Sequence, residues 1–272
     1  MVLPAYAGAL NPQNQREIAL ITGASTGIGL DLARLMAPDF DLIITARNQA
    51  RLEGIAQELQ NNHGNRVHVI PGDMARPEAP QEIWSEVERR GLRVAALINN
   101  AGFGAYGEFR DIPWATEAEM IQVNITALTH LTRLAVPGMI ERKHGRIMNV
   151  ASTAGFQPGP LMAVYYATKA YVLSFSEAIA NELKGTGISV TCLCPGATAT
   201  EFAARADMEK SRLFKMPKMT SVAVARAGYH AMLSGKTLSI PGLHNWIMAE
   251  AVRFGPRKLV TAVARSVQER VE

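Results

Sequence analysis

The residues that most directly suggest chemistry are a tyrosine and a lysine four positions apart, Tyr165 and Lys169. Residues 164–183 have helical character, and residues four apart in a helix share one face, about a turn apart. A tyrosine phenol has a pKa near ~10, and a neighbouring ammonium favours the phenolate and lowers that pKa. The spacing therefore predicts a proton-transferring pair, although two surface residues would give the same spacing. Tyr166 projects ~100° around the helix, so Tyr165 is the predicted acid/base.

A second candidate site is a glycine-rich turn between an apolar run at 18–21 and a helical stretch at 30–37. Gly23 allows a tight turn, Gly27 lacks the Cβ that would block a pyrophosphate, and Gly29 lets the helix pack closely on the strand. Backbone N–H groups at the helix start would face the anion. We therefore predict a dinucleotide site here; a loop that merely starts a helix is the alternative. The same loop contains Ser25, Thr26 and Ile28.

The end of the second predicted strand bears on the type of dinucleotide. Folds that prefer NAD place an acid there, about 20 residues beyond the glycines. Here residues 45–48 read Thr-Ala-Arg-Asn, and Asp41 lies at the opposite end of the strand. Arg47 can bind a 2′-phosphate through two hydrogen bonds. We predict NADP(H) in preference to NAD(H), unless Arg47 only caps a solvated loop.

Alternating apolar runs and helical stretches must position these residues. The predicted strands are 18–21, 42–45, 67–70, 96–98, 147–150, 190–193 and 237–240. Uninterrupted apolar strands indicate a sheet covered on both faces, and right-handed crossovers then wind it in two directions. The predicted fold is α/β, a single-domain Rossmann-like, doubly wound parallel sheet of about seven strands with helices on both faces. Ligands in such folds bind beyond the carboxyl ends of the strands.

The chain is predicted to divide into three parts. Residues 1–15 form an irregular leader, and residues 16–240 form the Rossmann domain, which includes a substrate loop at about 201–220. Residues 241–272 form an amphipathic helical extension interrupted by Gly255 and Pro256. This extension could pack on the domain, complete an oligomer interface or contact a membrane surface.

Several motifs in one order resemble the short-chain dehydrogenase/reductase family. They are Gly-x3-Gly-x-Gly at 23–29, Asn-Asn-Ala-Gly at 99–102, Tyr-x3-Lys at 165–169 and Pro-Gly-x3-Thr at 195–200. The resemblance covers nearly the whole chain. It implies an oxidoreductase that interconverts a carbonyl and a secondary alcohol by hydride transfer with a nicotinamide cofactor.

The resemblance also implies roles for individual residues. Ser152 stands 13 residues before Tyr165, directly after the fifth predicted strand, and matches the family's catalytic serine, which binds the substrate oxygen. By itself, Ser152 could equally be a turn residue. Asn124 matches an asparagine that helps hold a proton-relaying water. Lys169 matches a lysine that also bonds the nicotinamide ribose.

Further positions match the family's cofactor contacts. Asp73 and the backbone of Met74 match the adenine site, although Asp73 alone could lie in a solvated turn. Asn100, Ala101 and Gly102 correspond to residues beneath the cofactor. The nicotinamide end is matched by Pro195, Gly196, Thr198 and Thr200.

Substrate specificity is expected in residues 201–220 together with Phe103 and Phe156. Apolar residues such as Phe202 favour a lipid-like, steroid-like or aromatic carbonyl compound. Basic residues such as Lys215 would instead suit an acidic acyl carrier, which makes 3-oxoacyl-thioester reduction the alternative, or simply solvate a lid.

Composition excludes several other classes. The 272 residues carry a formal charge of +4 without a basic arm, so no nucleic-acid partner is expected. No further metal-binding Cys or His residues lie at short spacing from Cys192 and Cys194. We therefore expect buried thiols, no metal site and a cytoplasmic location. No membrane-spanning segment is expected. The family resemblance implies a homodimer or homotetramer.

The sequence leaves two alternative kinds of function open. The fold could bind NADP(H) as a redox sensor or scaffold, although a sensor has no need of an acid/base set. An enoyl reductase or sugar-nucleotide epimerase is less consistent with the Tyr–Lys and glycine spacings.

Overall fold

The centre of the fold is a parallel sheet, seen in a computed structural model that describes residues 16–208, 211–215 and 218–270. Within these residues the sheet has seven strands in the order β3-β2-β1-β4-β5-β6-β9, and every pairing is parallel. The strands are β1 Glu17–Thr22, β2 Phe40–Thr45, β3 Val67–Val69, β4 Val94–Asn99, β5 Gly145–Val150, β6 Ile188–Leu193 and β9 Leu238–Ser239. A separate two-stranded ladder pairs β7 Thr198–Ala199 with β8 Met219–Thr220.

The strands are apolar throughout because both faces of the sheet are buried. In β1, Ala19 and Ile21 belong to one core cluster, and Leu20, between them, belongs to another. In β2, Leu42 and Ile43 divide in the same way. Since successive strand residues point to opposite faces, one strand contributes to two cores, which explains why the apolar runs are uninterrupted.

Two layers of helices cover these cores. On one face lie α1 Gly27–Met36, α2 Gln49–His63 and α9 Ser221–Leu233. On the other face lie α3 Ala79–Arg89, α5 Leu128–Glu141 and α6 Ala163–Glu182. The remaining helix before α5 is α4 Trp114–Ile121, which continues through a π-helical turn at Gln122–Ala127. The predicted class, a doubly wound sheet with helices on both faces, is confirmed.

The strand order fixes where a ligand can bind. Strand β1 lies between β2 and β4, so the chain winds outward from β1 in one direction and then from β4 in the other. Loops at the carboxyl ends of β1 and β4 therefore diverge and leave a crevice between them. The glycine loop follows β1, and the Asn-Asn-Ala-Gly motif begins at the last residue of β4.

Short elements and two C-terminal helices surround the far end of this crevice. After β6 and β7 come two single-turn helices, α7 Phe202–Arg205 and α8 Arg212–Lys215. The chain ends in α10 Leu243–Ala251, a short 3-10 turn at Val252–Phe254, and α11 Arg257–Gln268. The predicted interruption of this helix pair at Gly255 and Pro256 is confirmed.

The end of α11 is tied to the segment that follows β7. The backbone N–H of Arg212 donates to the Glu269 carbonyl at 3.0 Å, and Ser211 and Arg270 form an antiparallel bridge. Arg265 forms an ion pair with Glu108 at 2.8 Å. The predicted leader at 1–15 and the final residues 271–272 lie outside the described residues. Within the described part of the chain, none of the helices is long and apolar enough to cross a bilayer.

Candidate active site

A single continuous cleft runs across the carboxyl edge of the sheet, with a volume of about 760 Å³. The predicted site residues that line it include those of the glycine loop, Arg47, Asp73, Ser152, Tyr165 and Lys169. Three predicted site residues do not line it: Gly29, Asn124 and Phe156. Within the described part of the chain, no group of three or more His, Cys, Asp or Glu residues could hold a metal ion.

The glycine loop is held in place by an asparagine from the next strand of the sheet. The Asn100 side-chain Nδ2 donates to the carbonyls of Thr22 and Gly23, at 2.9 and 3.2 Å. In return, the Thr22 hydroxyl accepts the backbone N–H groups of Asn100 and Ala101, both at 2.9 Å. The ends of β1 and β4 are thus joined beneath the loop, which fixes the start of α1 relative to the cleft.

Close packing explains why this loop requires glycine. Gly23 has φ +65°, and a Cβ there would lie 2.9 Å from Asn100 Nδ2. A Cβ on Gly29 would clash with the same amide and with the Gly23 carbonyl. Gly27 has φ +54° and starts α1, and the preceding Thr26 makes no side-chain capping bond. The first N–H groups of a helix have no partner within it, so this turn can receive an anion.

Two arginines lie at the end of the cleft next to β2. Arg47 is exposed and has no side-chain partner within the described residues, and it follows the last residue of the strand by two positions. Arg51, in the first turn of α2, lines the same region and forms an ion pair with Glu201 at 3.6 Å. The carboxylate of Asp41 is buried at the other end of β2 and pairs with Arg66 at 2.7 Å. Asp41 is therefore not placed to contact a ligand in the cleft.

Asp73 and Met74 line the cleft beyond β3. The Asp73 carboxylate accepts the backbone N–H of Ala75 at 3.1 Å, so it also closes a turn, as the alternative interpretation expected. The Met74 carbonyl accepts a long hydrogen bond from the Gln122 side chain, at 3.5 Å. Both residues line the cleft, and an adenine contact stays a prediction for them.

Tyr165 and Ser152 meet at the inner end of the cleft. Only 9% of Tyr165 is exposed, and the Ser152 side chain lies near enough to its phenol to lower the pKa of that phenol. The Ser152 hydroxyl also accepts the backbone N–H of Ala154 at 3.1 Å, so it starts a 3-10 turn as well. Burial raises the pKa of the Tyr165 phenol, and the nearby Ser152 hydroxyl opposes that rise.

The expected lowering of the Tyr165 pKa by Lys169 is wrong for this structure. The Lys169 ammonium donates to the Val150 carbonyl at 2.8 Å and lies 5.8 Å from the centre of the Tyr165 ring. Loss of hydration therefore dominates at the phenol, which is neutral at neutral pH. Burial also lowers the pKa of Lys169 to about 8, partly offset by the nearby thiols of Cys192 and Cys194.

Asn124 lies behind the cleft, in the π-helical turn. Its Oδ1 accepts the Phe103 N–H at 3.1 Å, and its Nδ2 donates to the Phe103 carbonyl at 2.9 Å and to the Thr168 hydroxyl at 3.0 Å. A Cβ on Gly102 would lie 3.0 Å from Asn124 Oδ1 and 3.4 Å from Lys169 Nζ. The side chain thus fixes the strand-end loop to α6 beside Lys169.

The nicotinamide-end residues follow β6. Pro195, Gly196, Thr198 and Thr200 all line the cleft. The Thr198 hydroxyl donates to the Gly196 carbonyl at 2.9 Å, and the Thr200 hydroxyl accepts the Phe202 N–H at 3.2 Å. The segment from Pro195 to Thr200 therefore forms a turn and also lines the cleft.

Apolar side chains surround Tyr165 at the far end of the cleft. The rings of Tyr165 and Phe202 are 5.3 Å apart, and Phe103 lines the same wall. Phe156 was expected here too, but that expectation is wrong. Its side chain packs on a separate buried cluster that includes Leu128 and Val172, because the 3-10 turn after Ser152 directs it away from the cleft.

Comparison with known proteins decides the family. The family described as short chain dehydrogenase matches residues 17–211. The chain belongs to the short-chain dehydrogenase family. A very-long-chain 3-oxoacyl-CoA reductase of Mus musculus is 30% identical over 262 residues, which cover 93% of this chain and 81% of that protein.

Two further comparisons show how much of this chain is similar to known proteins. A very-long-chain 3-oxoacyl-CoA reductase of Phaeosphaeria nodorum is 34% identical over 180 residues, which are 64% of this chain. The chain spans about half the length of that relative, 53%. A short-chain dehydrogenase from Sphingobium yanoikuyae, solved in complex with NADPH, superposes with a TM-score of 0.80 at 32% identity, covering 89% of this chain and 94% of that one.

This short-chain dehydrogenase also has cleft residues that motif reasoning missed. Several come from the C-terminal helices, where helical spacing was the available signal: His244, Asn245, Met248, Ala249, Val263, Ala264, Val267 and Gln268. Arg51 was missed as well, although it lies four residues beyond Arg47. The helical pattern at 241–272 predicted the helices but not which face would meet the cleft.

Proposed function

We propose that this short-chain dehydrogenase is an NADP(H)-dependent oxidoreductase that interconverts a carbonyl and a secondary alcohol, with Tyr165 as general acid/base. One observation carries the proposal. The buried Tyr165 phenol, the Ser152 hydroxyl beside it and the Lys169 ammonium line the same cleft as a glycine loop at the start of a helix. An acid/base set at one end and an anion-binding turn at the other suit a reaction that pairs a dinucleotide with a carbonyl compound.

The protonation state of each side chain determines which proton transfer it can make. Tyr165 is a neutral phenol at neutral pH, which is the form that can donate a proton to a carbonyl oxygen. Ser152 would donate a second hydrogen bond to that oxygen as negative charge develops. Lys169, whose pKa lies at about 8, is protonated near neutral pH and would supply the proton that restores the phenol after transfer. In the oxidative direction the same groups would remove the alcohol proton.

The residues present fit a nicotinamide dinucleotide. A Cβ on Gly27 would lie 3.2 Å from the Thr200 side chain across the cleft, so glycine keeps this part of the cleft open, and the start of α1 would hold the pyrophosphate. Arg47 would bind a 2′-phosphate, with Arg51 as a second cation at that end. When bound, the cofactor supplies or accepts the hydride. The described residues that end and follow β2, 45–48, include no carboxylate, and Asp41 is paired with Arg66 at the other end of the strand.

The proposed substrate is a carbonyl compound with apolar substituents. Phe103 and Phe202 flank Tyr165, and Met162 and Met208 add adaptable apolar surface to the wall. A 3-oxoacyl thioester is the second candidate. It is supported by the relatives from Mus musculus and Phaeosphaeria nodorum, which are 3-oxoacyl-CoA reductases.

Initial rates of NADPH oxidation with a carbonyl panel test the proposal. The panel should pair bulky alkyl and aryl ketones with short 3-oxoacyl thioesters, each also tested with NADH. We expect turnover of at least one class with NADPH, and the preferred class identifies the substrate type. Consumption of NADPH without formation of the corresponding alcohol, or no consumption with any member, would contradict the proposed reaction.

Assembly and location are further parts of the proposal. A homodimer or homotetramer formed through α5 and α6 would follow the family pattern, and light scattering of the purified chain measures it. The thiols of Cys192 and Cys194 are free and 3.6 Å apart, which favours a reducing compartment such as the cytoplasm. Fractionation of the source cells tests that location.

A further inference from the structure

The last residue of α11, Gln268, reaches into the wall of the cleft. Only 1% of this residue is exposed, and its side-chain Nε2 donates a hydrogen bond to the Tyr166 hydroxyl. Its other polar atom, Oε1, is buried and has no hydrogen-bond partner within the described residues. A buried amide oxygen without a partner costs about 1–3 kcal/mol, so its presence in a ligand cleft calls for a functional explanation.

Several contacts hold Gln268 in this position. The Tyr106 hydroxyl donates to the Gln268 backbone carbonyl at 2.9 Å. The neighbouring Arg270 lies over the Tyr106 ring, 5.0 Å from its centre, and also pairs with Asp207. These contacts come from three separate segments of the chain. Gln268 is therefore held at the wall of the cleft by contacts with other segments of the chain.

The surroundings make this polar group distinctive. Tyr166 lies beside the proposed acid/base, with its ring centre 6.1 Å from that of Tyr165. The other side chains at this end of the cleft are mostly apolar, including those of Met162, Leu213 and Val263. A Tyr hydroxyl and a Gln amide thus form a hydrogen-bonded polar pair beside these apolar side chains. Burial raises the pKa of Tyr166, so its hydroxyl is neutral and can donate a hydrogen bond.

We infer that Gln268 and Tyr166 recognise a second polar group on the substrate, remote from the reacting carbonyl. Gln268 Oε1 would accept a hydrogen bond from it and the Tyr166 hydroxyl would donate one, which suits a hydroxyl or a secondary amide. The inference rests on the proposed carbonyl–alcohol function and narrows its substrate to bifunctional compounds. Sites that hydrogen-bond a substrate group discriminate strongly against analogues that lack it.

Paired substrates and ligands test this inference. Methyl ketones of graded chain length are each matched with an analogue that carries a hydroxyl at the far end, and kcat/KM is measured with NADPH. We expect the best hydroxylated analogue to be preferred at least about tenfold over its plain partner. In Gln268→Leu we expect that preference to fall below about threefold, through a loss of kcat/KM on the hydroxylated analogue.

Two further measurements separate this inference from the proposed function. Tyr106→Phe removes the bond to the Gln268 carbonyl but leaves the amide, so it should keep the preference, whereas Tyr166→Phe should reduce it. Calorimetric dissociation constants for the corresponding alcohols and diols are compared in the same variants. If no ketone is reduced, the proposed function is contradicted. The ratio of the alcohol and diol dissociation constants still tests whether Gln268 and Tyr166 recognise a second polar group. An equal ratio in the wild type and Gln268→Leu would overturn it.

Discussion

The Lys169 ammonium donates a 2.8 Å hydrogen bond to the carbonyl of Val150, the last residue of β5. This bond joins α6 to a strand end that lies two residues before Ser152. Only 5% of Lys169 is exposed. The lysine is therefore a buried cation held between the helix that carries Tyr165 and the strand end that precedes Ser152, and in the proposed reaction its protonation is coupled to that of Tyr165.

Protonation of Lys169 predicts how the reaction depends on pH. Burial lowers the pKa of this lysine to about 8, so the ammonium is present below that pH and lost above it. Carbonyl reduction that needs the ammonium should fall about tenfold per pH unit above the pKa. The measurement is kcat/KM for reduction as a function of pH.

A direct titration provides the control for that pH profile. In protein labelled with carbon-13 lysine, one Cε resonance should titrate near pH 8, and it should be missing in Lys169→Arg. If Lys169 instead titrates with the surface lysines, near ~10, the proposed coupling is wrong, whatever the shape of the rate profile.

The glycine loop predicts opposite effects for two glycine-to-alanine substitutions. Gly29→Ala would place a Cβ against Asn100 Nδ2 and the Gly23 carbonyl, and we expect a loss of about 3 kcal/mol in unfolding free energy. Gly54 lies in α2 with no atom within 4 Å of its added Cβ. Gly54→Ala should stabilise the protein by about 0.5–1 kcal/mol. Urea unfolding curves compare the two, and equal effects would argue against the proposed packing of the loop.

Much of the fold could be predicted from the sequence because both faces of the sheet are buried. Runs such as the one that contains Leu20 and Ile21 are apolar without interruption, and all seven predicted strands appear with ends shifted by at most a few residues. The motif residues also gather in one cleft, because loops that follow parallel strands open at one edge.

The features that were missed depend on contacts between distant segments. The outward direction of Phe156 follows from the short 3-10 turn after Ser152, which no periodic pattern marks. The position of Gln268 depends on Tyr106 and Tyr166, more than 100 residues away in the chain. The pKa of Tyr165 is raised because its side chain is buried. The helical spacing from Lys169 suggested only that the lysine charge would lower that pKa.

Cofactor preference should depend on Arg47. This exposed arginine has no side-chain partner in the part of the chain that the structure describes, so it is free to bind a 2′-phosphate. Arg47→Ala should raise the NADPH dissociation constant at least about tenfold, as expected for the loss of a bidentate phosphate contact, and leave that for NADH nearly unchanged. Fluorescence titration of each cofactor measures both constants.

A charge-matched substitution completes the cofactor test. Arg133→Ala removes an exposed arginine from α5, on the other side of the sheet, and should change neither constant. The proposed role of Arg47 would be rejected by equal losses of NADPH and NADH affinity in Arg47→Ala, or by a comparable loss in Arg133→Ala.

The most direct test of the account is the turnover of Tyr165→Phe on the preferred carbonyl substrate, measured beside its NADPH affinity. This change removes only the phenol oxygen, which lies beside the Ser152 hydroxyl. We expect a fall in kcat of at least about a hundredfold, the usual contribution of a positioned acid, with NADPH affinity preserved. A variant that keeps its turnover within about threefold of the wild type would contradict the assignment of Tyr165 as the acid/base.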